Sequence, residues 1–103
     1  MKNGIINPED KNPFGFTSDL FSGWLWKKNE SIYISMIESL EPGKGNFKRL
    51  IGTILTLGFT VKIPTPLGKM KMFVLKNKYK HTIENSKLMG PVDVWVLKHS
   101  WVF

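Results

Sequence analysis

Residues 42–51, PGKGNFKRLI, join a run of strand character to a run of helix character. A junction of this kind sets the free amides of a helix N-terminus beside a loop, and those amides together with the helix dipole attract an anion. Glycine suits such a loop, because a side chain obstructs a phosphate or forbids the backbone angles required. Gly43, Lys44, Gly45, Asn46 and Phe47 supply the amides here, and Lys44, Lys48 and Arg49 supply positive charge. The Gly-Lys-Ser/Thr of a Walker loop is missing, as are the third glycine and following acid of a dinucleotide fingerprint. On residue types alone the stretch is either a tight turn or a phosphate cradle.

Little else in the chain has the spacing of a reactive group. It has 103 residues with no cysteine, so disulfides and thiolate metal sites are out of reach. Two histidines, His81 and His99, lack a paired spacing for zinc and read as surface residues. Formal net charge is +7, which favours an anionic partner such as nucleic acid, a phosphorylated cofactor or an acidic protein surface. Lysine supplies nearly all of this charge, with Arg49 the single arginine, whereas base reading favours the arginine fork. Lys69, Lys71, Lys76, Lys78 and Lys80 read as a solvated face. Trp24, Trp26, Trp95 and Trp101 read as core and rim aromatics. Trp26-Lys27-Lys28 is the one local pairing of an aromatic with basic residues that a stacking platform would want.

The elements that must hold the loop follow from periodicity. Residues 1–13 read as an irregular lead-in to one domain spanning 14–103. Residues 15–30 set aromatics among turn residues, which predicts two short strands, with a hairpin at Lys28-Asn29 leading onward. SIYISMIES, 31–39, alternates as a strand, with Ile32, Ile34 and Met36 on one face and Tyr33, Ser35 and Ile37 on the other. From Asn46 the period changes. Phe47, Leu50, Ile51, Ile54 and Leu55 make the apolar stripe of a helix, with Asn46 as its N-cap and Gly58 as its left-handed C-terminal cap. FTVKI, 59–63, predicts a strand, 67–76 a helix with Met70, Phe73 and Val74 inward, and 78–83 a strand. After the turn at Met89-Gly90-Pro91, VDVWVLKHSWVF makes the last strand. The order β-β-β-α-β-α-β-β predicts an α+β (α/β) domain. Its central sheet is mixed and mostly antiparallel, with helices after the third and fourth strands.

That order, around that loop, resembles the second half of the GNAT superfamily of N-acetyltransferases, over about two-thirds of the chain. There a strand ends in a Gln/Arg-x-x-Gly-x-Gly/Ala loop that opens a helix and holds the pyrophosphate of coenzyme A. Here Gly45 matches the first glycine and Leu50-Ile51 the aliphatic pair. Pro42 stands where Gln or Arg is usual, and Phe47, turned inward by its place in the helical stripe, replaces the second small residue. FTVKIPTP resembles the family's fifth strand, MKMFVLKNKYKHT the next helix and its exit, and VDVWVL the terminal strand. The resemblance implies a GNAT-like acyl-CoA N-acyltransferase fold with a trimmed N-terminal half, since only 41 residues precede the loop. It implies acetyl-CoA (coenzyme A) as cofactor, held by Ile37, Glu38, Gly43, Lys44, Gly45, Asn46, Phe47 and Lys48.

Acetyl transfer to an amine needs a base to take its proton. The resemblance places that role on the strand before the loop, where Glu38 and Glu30 are the carboxylates. The family's acidic tyrosine falls at Val74, leaving Tyr33 as the substitute, and Tyr79 falls at a packing position. Three functions therefore compete. One is an acetyl-CoA-binding N-acetyltransferase acting on an amine of a protein or small molecule. The second is a catalytically inactive binding or inhibitory protein of the same fold, using its basic surface. The third is a winged-helix-like nucleic-acid binder that reads with the 46–57 helix and uses 59–75 as its wing. The polar, proline-interrupted N-terminus lacks a secretion signal, and no apolar run approaches the roughly 20 residues that span a bilayer. The expectation is a soluble, cytoplasmic protein, and the compact lysine-rich composition suits a viral or mobile-element source.

Overall fold

In a computed structural model of the chain, residues 2–88 and 90–98 are described. Strands β1 (Gly4–Ile6), β2 (Phe21–Lys28) and β3 (Ser31–Ser39) lead to helix α1 (Asn46–Thr56). Then come β4 (Thr60–Pro64), α2 (Lys69–Lys76), β5 (Lys80–Ser86) and β6 (Gly90–Leu97). The strands form one sheet in the order β1-β2-β3-β4-β6-β5, and every neighbouring pair is antiparallel except β3–β4. This is the mixed, mostly antiparallel α+β sheet that the periodicity predicts. Residues 99–103 of the expected last strand, with His99 and Trp101, lie outside the described residues, as does Met89 of the turn before it.

Both helices pack on one face of the sheet. Leu50, Ile51, Ile54 and Leu55 of α1 and Val74 of α2 enter one buried cluster with Leu25, Ile32, Ile34, Val61, Ile63 and Leu97. The apolar stripe of α1 is the reason: its residues recur every three or four positions and cannot face water together. Phe47 does turn inward, meeting Phe73 of α2 edge-on at 4.9 Å between ring centroids.

Two expectations at the N-terminal end differ from what is observed. The lead-in contains β1, whose residues pair with Leu25–Lys27 of β2. Residues 15–30 hold one strand instead of two. Before it, a loop is organised by Asn12, whose Oδ1 accepts from the amides of Phe14 and Phe16 at 3.1 and 3.3 Å. Its Nδ2 donates to the carbonyls of Asp10 and Phe16 at 3.0 and 2.8 Å. One side chain thereby replaces a strand partner for this backbone and turns Phe14 and Phe16 into the core.

The helix ends also depart from expectation at one terminus. Asn46 is the first helical residue rather than the cap. Gly45, in the left-handed region at φ 77°, caps α1 without any side-chain hydrogen bond. At the other end Gly58 adopts φ 92°, its amide donating to Leu55 and that of Phe59 to Ile54, a Schellman arrangement. Helix α2 ends similarly, with Lys78 at φ 62° and Tyr79 N donating to Val74 O, so lysine holds a place that glycine usually takes.

Candidate functional site

The parallel strands β3 and β4 share three rungs, Ser31 with Thr60, Ile32 with Val61 and Tyr33 with Lys62. Beyond the third rung they separate, because β3 runs on to Ser39 while β4 stops at Pro64. A bulge helps β3 away. Leu25 pairs with Ile34 but Trp24 pairs with Met36, which leaves Ser35 as the extra residue. A bulge bends its strand and reverses the side-chain alternation that follows. Met36, expected on the Ile32–Ile34 face, is consequently 58% exposed on the other face, and Ile37 takes the inward direction. Gly23 makes the bulge possible. A Cβ there, at φ 98°, would lie 1.9 Å from the Met36 carbonyl oxygen.

The separation leaves a cavity of about 460 Å³ between the far half of β3 and α2. Ile37 and Phe47 line it from β3 and α1, Met70 and Phe73 from α2, with Glu38 and Lys69 at its border. Along this edge the backbone of β3 has no β4 partner, and an edge of that kind pairs with an extended chain bearing amide groups.

Pro42 and Phe47, at the two ends of the glycine loop, also line the cavity. Gly43 (φ 85°) and Gly45 (φ 77°) are both left-handed, conformations that cost other residues about 1–2 kcal/mol. No heavy atom would meet a Cβ at Gly43, so the loop's outer surface is open. The first turn of α1 carries neither a capping side chain nor an acidic residue, so its amides and dipole are not neutralised locally. Arg49 folds back over the loop, donating from Nη1 to the Lys44 carbonyl at 3.2 Å and from Nη2 to Asn46 Oδ1. Asn46 is 6% exposed, and its Nδ2 has no hydrogen-bond partner among the described residues. A buried donor left unpaired in this way costs about 1–3 kcal/mol.

Of the proposed catalytic residues, the fold brings one to the cavity. Glu38 borders it but lies in register with Ser22 on the helix-free face, where it is exposed. Glu30 sits in the β2–β3 turn, its carbonyl accepting from Thr60 N at 2.8 Å. Nine residues of strand separate it from the loop, about 30 Å at 3.3 Å per residue. Tyr33 stands at the last shared rung, the base of the cleft. Its hydroxyl donates to Glu84 Oε1 at 2.8 Å, and Lys62 Nζ pairs with Glu84 Oε2 at 2.7 Å. Burial and the Glu84 contact raise the Tyr33 pKa. Burial pushes the Glu84 carboxyl upward, but hydrogen bonds from Lys62 and Tyr33 outweigh it and hold the group below its ordinary value. Val74 is fully buried, and Tyr79 is a buried packing residue whose hydroxyl pKa is raised by desolvation.

The cavity's α2 wall was not visible as such in the sequence. Lys69 read as solvated surface, and only its position just after Gly68, the N-cap of α2, marks it. A second groove, of about 630 Å³, runs along the other side of α1 past Lys48, Arg49, Thr53, Phe73 and Tyr79. The segment expected as a wing is instead an interior strand followed by α2. His81 is a surface residue paired with Asp93 at 2.8 Å. Among the described residues no cluster of histidine and carboxylate side chains forms a metal site, and no helix is long and apolar enough to cross a membrane. No family model matches the sequence, and neither the curated proteins nor the solved structures contain a match to it.

Proposed function

We propose that the chain binds an acyl-coenzyme A in the manner of a trimmed GNAT-like N-acetyltransferase. The observation that carries this reading is the parting of β3 and β4 after Tyr33 and Lys62, with Pro42 and Phe47 at the two ends of the glycine loop lining the cavity beside the far half of β3. The amides of Gly45, Asn46 and Phe47, with Lys44 and Lys48, receive the pyrophosphate. The free edge of β3 hydrogen-bonds the amide-bearing arm, and Ile37, Met70 and Phe73 exclude water around it. When bound, acetyl-CoA supplies an activated thioester for transfer to an amine of a protein or small molecule. Glu38, which borders the cavity with its side chain on the opposite face of the sheet, is the carboxylate proposed to take the amine's proton.

A second reading, a non-catalytic binding or inhibitory protein of the same fold, draws on a specific observation. Val74 is buried where the resemblance calls for an acidic tyrosine, and Tyr33 is committed to Glu84 and Lys62. Release of coenzyme A from acetyl-CoA separates the two, read with a thiol reagent against a panel of amines. The chain has no cysteine to interfere. The catalytic reading expects amine-dependent thiol release that falls about a hundredfold in Glu38→Gln. Binding without release leaves the second reading standing and removes the first.

A further inference from the structure

The face of the sheet opposite the helices carries a different chemistry. Residues directly opposite across neighbouring strands share a face. The register therefore sets Ile5, Trp26, Tyr33, Lys62, Val96 and Lys80 side by side in one row that crosses all six strands. Beside that row, Trp24 faces Met36 across β2 and β3. Trp24 and Trp26 are 38% and 45% exposed, Met36 58% and Ile5 54%, a contiguous exposed patch of large apolar side chains. The two tryptophans stand partly exposed on the sheet face that carries no helix.

The charges around the patch are mainly positive. Lys28, Lys62, Lys80 and Lys98 stand on this face from β2, β4, β5 and the end of β6, against Glu38 and Glu84. Glu84 and Lys62 offset each other in an ion pair that also holds the Tyr33 hydroxyl. Lys27 turns the other way, with its Nζ donating to Asn3 Oδ1 at 3.1 Å, so Lys28 alone accompanies the tryptophans from that pair. Trp24 and Trp26 are two residues apart on one strand, about 6.7 Å, twice the 3.4 Å rise of stacked bases. A stretched strand with unstacked bases matches that interval, while the bases of a duplex are hidden in their stack.

We infer that this face binds single-stranded nucleic acid. Bases stack on Trp26 and Trp24, with Tyr33 and Met36 flanking them, and the backbone phosphates run toward Lys28 and Lys80. The surface is separate from the β3–β4 cleft, and the inference does not rest on the acyl-coenzyme A reading. A sheet bearing exposed aromatics and lysines offers what sequence-tolerant single-strand binding uses, stacking together with backbone charge.

The test titrates the full chain with labelled oligothymidylate, following anisotropy and tryptophan emission across salt. The expected result is saturable binding with quenched emission and affinity falling as salt rises, by about 0.7 log units per log unit of salt for each phosphate neutralised. Trp26→Ala weakens binding about tenfold or more. The exposed Lys28, changed to Gln (Lys28→Gln), keeps the quench but makes the salt slope shallower by about 0.7. Circular dichroism confirms that each variant is folded, and Trp26→Phe, which retains a stacking ring, recovers part of the loss. No binding by the folded chain at low salt overturns the inference. Equal displacement by polyglutamate, which marks an acidic protein partner, also overturns it, as does preference for a duplex of the same length. Self-association that buries the tryptophans and excludes the oligonucleotide does so too.

Discussion

At Gly23 the absence of a side chain decides the path of a strand. Its φ of 98° and its approach to the Met36 carbonyl leave no room for a methyl group. Gly23→Ala is expected to lower stability by about 3 kcal/mol or more, combining backbone strain with a steric conflict against main chain. Urea unfolding measures it, and an unchanged midpoint would mean the bulge forms without this contact. Glu84 supplies a second expectation at this scale. Its folded pKa lies below the unfolded value, so its contribution is present above the unfolded pKa and is lost as pH falls through the folded one. The stability gap between wild type and Glu84→Gln should therefore be widest near neutrality and shrink in acid. A gap that widens on acidification would contradict the Tyr33–Lys62–Glu84 geometry.

Elements with a strong period were legible; those made by single contacts were not. Helix α1 was readable because five apolar residues recur on one face over eleven positions, and β3 because its first half alternates. The reversal of faces after Ser35 was not readable, since a bulge keeps strand composition while moving Ile37 inward and Met36 outward. The cleft depends on that reversal, so the loop of the candidate site could be found in the sequence but its cavity could not. Residues 15–20, where the sequence predicts the first of two short strands, form a loop for a related reason. Aromatics favour strands, and here Asn12 supplies the hydrogen bonds a neighbouring strand would have made. Asn12→Ala is expected to cost about 2 kcal/mol, since the buried loop loses its shared partner. A change near zero would show that water replaces the side chain without penalty.

Over the whole molecule, one sheet separates two surfaces. The helix side holds the glycine loop, an uncapped helix end and a cavity at a split in the sheet. The opposite side holds exposed tryptophans with lysines beside them. Tyr33 and Lys62 mark both, as the last rung before the cleft and as the middle of the cross-strand row. The measurement closest to the central claim is calorimetric titration of the full chain with acetyl-coenzyme A, beside Gly45→Leu. The account predicts saturable heat for the native chain. It predicts loss of that heat in the variant, whose side chain enters the phosphate's place at a left-handed position while circular dichroism stays native. No heat at millimolar ligand with the chain folded, or equal affinity in Gly45→Leu, would contradict it.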